Sequence, residues 1–142
     1  MIWFLRHGDA ADGEDDFARP LTPKGERQST AAGEALAALG VEIDACLTSP
    51  RVRALETARL ACETLDVEPE VAQELSGGPF DPEALAAGRG SVLLVGHEPD
   101  FSRAVGDLTG ARIDFKKGGL AAVDGATLVA LLRPAQIKLL AG

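Results

Sequence analysis

The chain has 142 residues, 46% of them apolar and 25% charged, with a formal net charge of −8. That length suits one domain with a sizeable core, residues 1–142, and the composition excludes low-complexity and disordered classes. The negative balance argues against nonspecific binding to nucleic acid or anionic lipid, and no apolar run approaches membrane-spanning length.

In chain order, Ile2 to Leu5 form a continuous apolar run, which predicts a short strand buried on both faces. No basic region precedes MIWFL, so it does not read as a signal peptide, and a cytoplasmic setting is expected. Residues 8 to 22 are polar and acidic and read as a solvated loop. Thr22 and Pro23 give an N-cap followed by proline at the first helical position. Ala32, Ala35, Leu36 and Leu39 then mark one helical face, and Gly40 suits its end.

Ile43 to Leu47 read as a second strand. Ser49 and Pro50 repeat the cap-and-proline signal, and Leu55, Ala58, Cys62 and Leu65 mark the buried side of the next helix. Val71 to Leu75 read as a short strand, SGGPF as a turn, and Asp81 to Ala87 as a short helix. Ser91 to Val95 are a second fully buried strand. Glu98 and Pro99 open a helix with Phe101, Ala104, Val105 and Leu108 on one face. Leu120 to Val123 and Thr127 to Leu132 flank Asp124-Gly125, a hairpin signal. Cys46 and Cys62 lack metal-ligand spacing and read as buried, reduced thiols. Strands alternating with helices predict a three-layer α/β/α sandwich around a mostly parallel sheet, with an antiparallel element near the end.

Ligands of open α/β sheets bind beyond the carboxyl ends of the strands. Arg6, His7 and Gly8 follow the first strand. Thr48, Ser49, Arg51 and Arg53 follow the second. Gly96, His97 and Glu98 follow the strand at 91 to 95. Both histidines of the chain therefore fall on one sheet edge, in the company of arginines. Guanidinium forks pair bidentately with phosphate oxygens, and helix N-termini add backbone donors. A neutral imidazole is a competent nucleophile near pH 7. Gly8 lets backbone and substrate approach the ring. These residues describe a site for phosphoryl transfer. Competing motifs fail: Phe101 and Pro99 break the zinc-protease pattern begun by His97-Glu98, and neither a Walker lysine loop nor GxSxG is present. No metal or other cofactor is expected where arginines neutralise the phosphate.

LRHGDA, TSPRVRALETA and LVGHEPD resemble, in order, the three signatures of the histidine phosphatase, or phosphoglycerate-mutase-like, superfamily, over residues 2 to about 105. The short chain, RPLTPKG and KKGGLA resemble the SixA-type phosphohistidine phosphatases. The resemblance implies that His7 is the nucleophile, that Arg6 and Arg53 bind the phosphoryl oxygens, and that His97 completes the pocket. It places Arg19 at the pocket mouth. The family's usual mid-chain glutamate acid is replaced here by ELSGG, leaving Glu74 and Glu98 as candidate general acids, with Asp9 and Asp16 as weaker ones. Arg51, Arg59 and Arg103 read as surface residues. The expected activity is a metal-independent phosphatase acting on phosphohistidine in a protein, for example a histidine phosphotransfer domain. The alternatives are a phosphomonoesterase for a small phosphorylated metabolite and, third, a non-catalytic phosphate-binding domain.

Overall fold

The computed structural model describes residues 1–142. Its frame is a six-stranded sheet in the order β3-β2-β4-β1-β5-β6. The strands are β1 (Ile2–Arg6), β2 (Ala45–Thr48), β3 (Pro69–Val71), β4 (Val92–Gly96), β5 (Leu120–Asp124) and β6 (Thr127–Leu132). Neighbours from β3 to β1 run parallel, and β5 and β6 are antiparallel additions. The helices are α1 (Pro23–Ala38), α2 (Val52–Leu65), α3 (Pro82–Ala86), α4 (Asp100–Thr109) and α5 (Pro134–Ala141).

The expected sandwich is present. Trp3, Leu5, Leu93 and Val95 face a core shared with Ala32, Ala35 and Leu36 of α1, Ala58 and Ala61 of α2 and Ile137 of α5. Phe4, Val92 and Leu94 face the opposite core, which Phe101, Ala104 and Val105 of α4 complete. Alternate residues of β1 and β4 thus enter different cores, which explains why both strands read as unbroken apolar runs. Phe4 and Phe101 meet edge to face with ring centroids 5.3 Å apart. Truncating either to alanine should cost about 3–5 kcal/mol, the range for a buried phenylalanine.

Several boundaries differ from the sequence reading. Ile43 is buried but precedes β2, which starts at Ala45. The Ser49-Pro50 signal does not cap α2: the helix starts at Val52 after Arg51, and the Ser49 hydroxyl instead accepts the Arg51 N–H at 3.2 Å. The buried face of α2 is Ala54, Ala58, Ala61 and Cys62, with Leu55 only half-buried, because α2 lays small residues against α1 and the sheet. The strand expected at Val71 to Leu75 lies earlier, at Pro69–Val71, and residues 73–75 form a 3-10 turn. α4 begins at Asp100, one residue after Pro99. Helix α5 was not anticipated; Pro134 at its start and the Gln136 side chain, which accepts the Arg133 N–H at 2.9 Å, define its first turn.

The Thr22 cap of α1 is formed as expected: its hydroxyl accepts the Gly25 N–H at 3.1 Å and donates to the Asp9 carboxylate at 2.8 Å. The 8–22 segment is an ordered excursion. Ala10 and Leu21 bridge its base, and Asp15 caps a 3-10 turn over Asp16–Ala18 at its tip. Cys46 and Cys62 are free and buried in one core. No helix is long and apolar enough to cross a membrane.

Candidate active site

β1 and β4 pair with Arg6 opposite Gly96, so Arg6-His7 and His97 leave the sheet side by side. The His7 and His97 rings lie 5.2 Å apart, centroid to centroid. Both residues are buried. β2, the other neighbour of β4, carries Ser49 to the same edge, and the first turn of α2 brings Arg53 over His7.

His7 is held in one orientation. Its Nδ1 lies 2.7 Å from the Gly8 carbonyl, an acceptor, so Nδ1 carries the proton and Nε2 keeps its lone pair. Arg53 Nε approaches that Nε2 at 3.4 Å. Burial, with smaller contributions from Arg53, Arg6 and Lys117, lowers the His7 pKa to about 4, against the opposing pull of the Gly8 carbonyl. The ring is therefore neutral at physiological pH. His97 is depressed further, to about 3, by burial first and then by His7, Arg53 and Arg51. Its Nε2 lies 2.7 Å from Ser49 Oγ.

Thr57 ties the supports together. Its hydroxyl donates to the Arg53 carbonyl at 2.7 Å and accepts the Gly8 N–H at 3.1 Å and the Ser29 hydroxyl at 3.2 Å. Gly8 has a packing role as well: a Cβ there would stand 2.6 Å from the Gly25 carbonyl oxygen, and one on Gly25 would stand 2.0 Å from the Asp9 carbonyl oxygen. Two glycines let α1 descend onto the end of β1.

Arg6 donates to the Phe115 carbonyl at 2.8 Å. Arg6 Nε and His97 Nδ1 are the two buried side-chain atoms without a hydrogen-bond partner. Both belong to the pair of residues flanking His7. Buried polar groups are normally satisfied, so two unpaired atoms beside His7 set this edge of the sheet apart from the rest of the interior.

Asp16 joins the site from the tip of the 8–22 excursion. Its carboxylate accepts from Arg51 at 2.8 Å, from Arg53 at 3.3 Å and from Arg19 at 3.1 Å, and its carbonyl accepts from Arg53 at 2.8 Å. Arg19, first among the causes, and Arg53 hold Asp16 below the usual carboxylate range. Arg51, read from sequence as a surface residue, is part of this cluster; it also donates to the Ser76 carbonyl at 2.7 Å and stacks over Phe17. Arg19 is anchored by the Ala11 carbonyl at 2.9 Å as well as by Asp16.

The two candidate glutamates differ in setting, Glu98 lying within electrostatic reach of Arg6. The Glu98 carboxylate accepts the Ser102 N–H at 2.7 Å and the Ser102 hydroxyl, capping the first turn of α4. Glu74 is exposed in the 3-10 turn after β3. Neither is hydrogen-bonded to His7, Arg6, Arg53 or His97. Ser49 and Thr57 sit inside TSPRVRALETA, and that motif was the available signal for them. The convergence on Asp16 had no local signal, since its partners Arg51 and Arg53 lie 35 and 37 residues away.

The model of the histidine phosphatase superfamily (branch 1) matches residues 2–78. The chain belongs to this superfamily. An uncharacterised protein of the cyanobacterium Picosynechococcus sp. is 38% identical over 135 residues, covering 84% of this chain and 81% of that protein. The mitochondrial serine/threonine-protein phosphatase Pgam5 of Drosophila melanogaster is 31% identical over 119 residues; the match takes in 80% of this chain but 37% of that longer protein. The tungstate complex of the protein histidine phosphatase SixA superposes with a TM-score of 0.83 at 29% identity, over 96% of this chain and 99% of that one. With the three superfamily signatures meeting around His7, the chain is a hydrolytic phosphatase of phosphoglycerate-mutase-like fold.

Proposed function

We propose that the chain removes the phosphoryl group from phosphohistidine in a protein, through a phosphohistidine on its own His7. The neutral Nε2 attacks phosphorus in line. The new Nε2–P bond forms as the P–N bond of the substrate breaks, and the substrate imidazole leaves with the electron pair. In this reading Arg6 and Arg53, with the unpartnered His97 Nδ1, stabilise the transferring oxygens. Water then cleaves the Nε2–P bond, releasing inorganic phosphate and regenerating His7.

The observation that carries the substrate assignment is the state of the carboxylate on the clamp. Asp16 is held ionised by its arginines, Glu98 is committed to Ser102, and Glu74 is exposed and hydrogen-bonded to none of the site residues. An ester must expel an alkoxide and needs a proton delivered in the transition state. Phosphohistidine can be protonated on its remote ring nitrogen near neutral pH and then leaves as neutral imidazole. A site without a poised acid suits the second substrate. The likeness to SixA along nearly the full length of both chains supports the same reading, and it supports taking residues 1–142 as one domain.

The test is kcat/KM on a phosphohistidine protein against phosphoserine and a panel of sugar phosphates. The phosphohistidine protein should be turned over far faster, and Glu74→Gln or Glu98→Gln should leave that rate nearly unchanged. Faster hydrolysis of a sugar phosphate, lost on removing either glutamate, would make the chain a small-metabolite phosphomonoesterase.

A further inference from the structure

Two adjoining cavities run from Arg6 along α1 to α5. The nearer, about 430 Å³, is lined by Arg6, Lys116, Lys117, Lys24 and Asp9. The farther, about 410 Å³, has Arg27 and Lys138 on its sides and Ala31 and Ile137 among its apolar lining. Lys24, Gln28 and Pro134 line both, so the two form one groove. Its lining is mostly basic, with Lys116 paired to Asp114 at 3.0 Å. Six of the chain's 14 basic residues line the groove, but of its 22 acidic residues Asp9 alone does so. Asp9 is itself occupied, by Thr22 at 2.8 Å and by Lys117 at 3.6 Å. The groove ends at Arg6, the chain neighbour of the nucleophile.

We propose that this groove docks an acidic amphipathic helix of the phosphorylated protein beside its phosphohistidine; the proposal rests on the protein-substrate reading above. A basic rim along both cavities, with an apolar floor in the farther one, matches a helix with an acidic face and a short apolar stripe. A single phosphate is a poor fit, because the two joined cavities exceed it and because Lys116 and Lys117 are about half-exposed on flexible stems rather than fixed around one point. The net charge of −8 disfavours an acidic partner on the chain as a whole, so attraction has to come from a local basic patch. At physiological salt, charges act over about 8 Å, so the groove selects the docking orientation locally.

The probe is a helical peptide with leucines on one face and glutamates on the other, compared with its lysine counterpart and with a single-stranded RNA. Binding is followed by fluorescence polarisation and by amide chemical shifts. The glutamate peptide should bind, with shifts gathered on α1, α5 and residues 116–119, and Lys24→Glu/Arg27→Glu/Lys138→Glu should weaken it at least tenfold. Lys24→Ala and Lys138→Ala, each alone, should weaken it less and lower its salt dependence. Free phosphohistidine should be hydrolysed equally by parent and triple variant. Shifts elsewhere, equal binding by the triple variant, or tighter binding of the RNA or the lysine peptide would overturn the proposal. Peptide binding in the groove with no hydrolysis of any phosphohistidine would instead overturn the substrate reading and leave the groove's acidic-helix specificity standing.

Discussion

Arg53 Nε lies 3.4 Å from His7 Nε2, so the guanidinium sits directly against the one ring nitrogen that keeps its lone pair. The contact places the remaining guanidinium nitrogens toward Asp16, at 2.8 and 3.3 Å. A planar fork does both at once, and a lysine ammonium cannot. Arg53→Lys should lower kcat/KM about a hundredfold, the scale for deleting one preorganised donor, with an unchanged amide spectrum. Full activity in that variant would remove Arg53 from the mechanism.

The nucleophile can be trapped. Rapid quench with labelled phosphohistidine should leave acid-labile, base-stable label on His7, and His7→Ala should abolish both label and turnover. Label on His97 instead, or near-normal turnover by His7→Ala, would contradict the assignment.

Asp16 is a built-in anion on the arginines that would receive substrate oxygens. Removing its charge should let external oxyanions compete better. Asp16→Asn should lower the inhibition constant of inorganic phosphate or vanadate about two- to fivefold, in keeping with loss of a partly exposed ion pair. An unchanged or raised constant would mean that the carboxylate organises the clamp rather than occupying it.

The depressed histidines make stability depend on pH in a defined direction. His7 and His97 have folded pKa values of about 4 and about 3, against 6.5 unfolded. Between those values the unfolded chain binds more protons, so stability rises with pH. Their contribution is complete above about pH 6.5 and is lost as pH falls toward about 4 for His7 and about 3 for His97. Each histidine adds a slope of up to about 1.4 kcal/mol per pH unit. Urea midpoints from pH 4.5 to 7 should show this rise, and His7→Asn should flatten it. An equal slope in that variant would mean that His7 titrates normally in the folded chain.

What was legible in the sequence follows from physical range. β1 and β4 were readable because burial on both faces writes an unbroken apolar run. The meeting of Arg6, His7, Arg53 and His97 was readable because strand ends of an open α/β sheet share one edge and because the signatures mark them. β3 was misplaced because an edge strand of three residues, with Glu70 and Val71 exposed, writes little pattern. Ser49 was misread as a helix cap because its true partner, His97, is supplied by β4. Arg51 was misread as a surface residue because its anion comes from a loop that only the fold brings near.

The contact between Gly8 and Gly25 has a consequence for how the site varies. With a Cβ at either position, backbone would be met at 2.6 Å or less, so neither glycine tolerates even a methyl group without α1 lifting from β1. The glycine of the RHG signature is therefore demanded by helix docking whether or not the histidine before it reacts. A library of this chain selected for folding alone should retain Gly8 and Gly25 together while position 7 accepts other side chains that fit its buried space. Selection for turnover should fix His7 as well, and the difference between the two selections would separate the part of the motif that builds the molecule from the part that works in it.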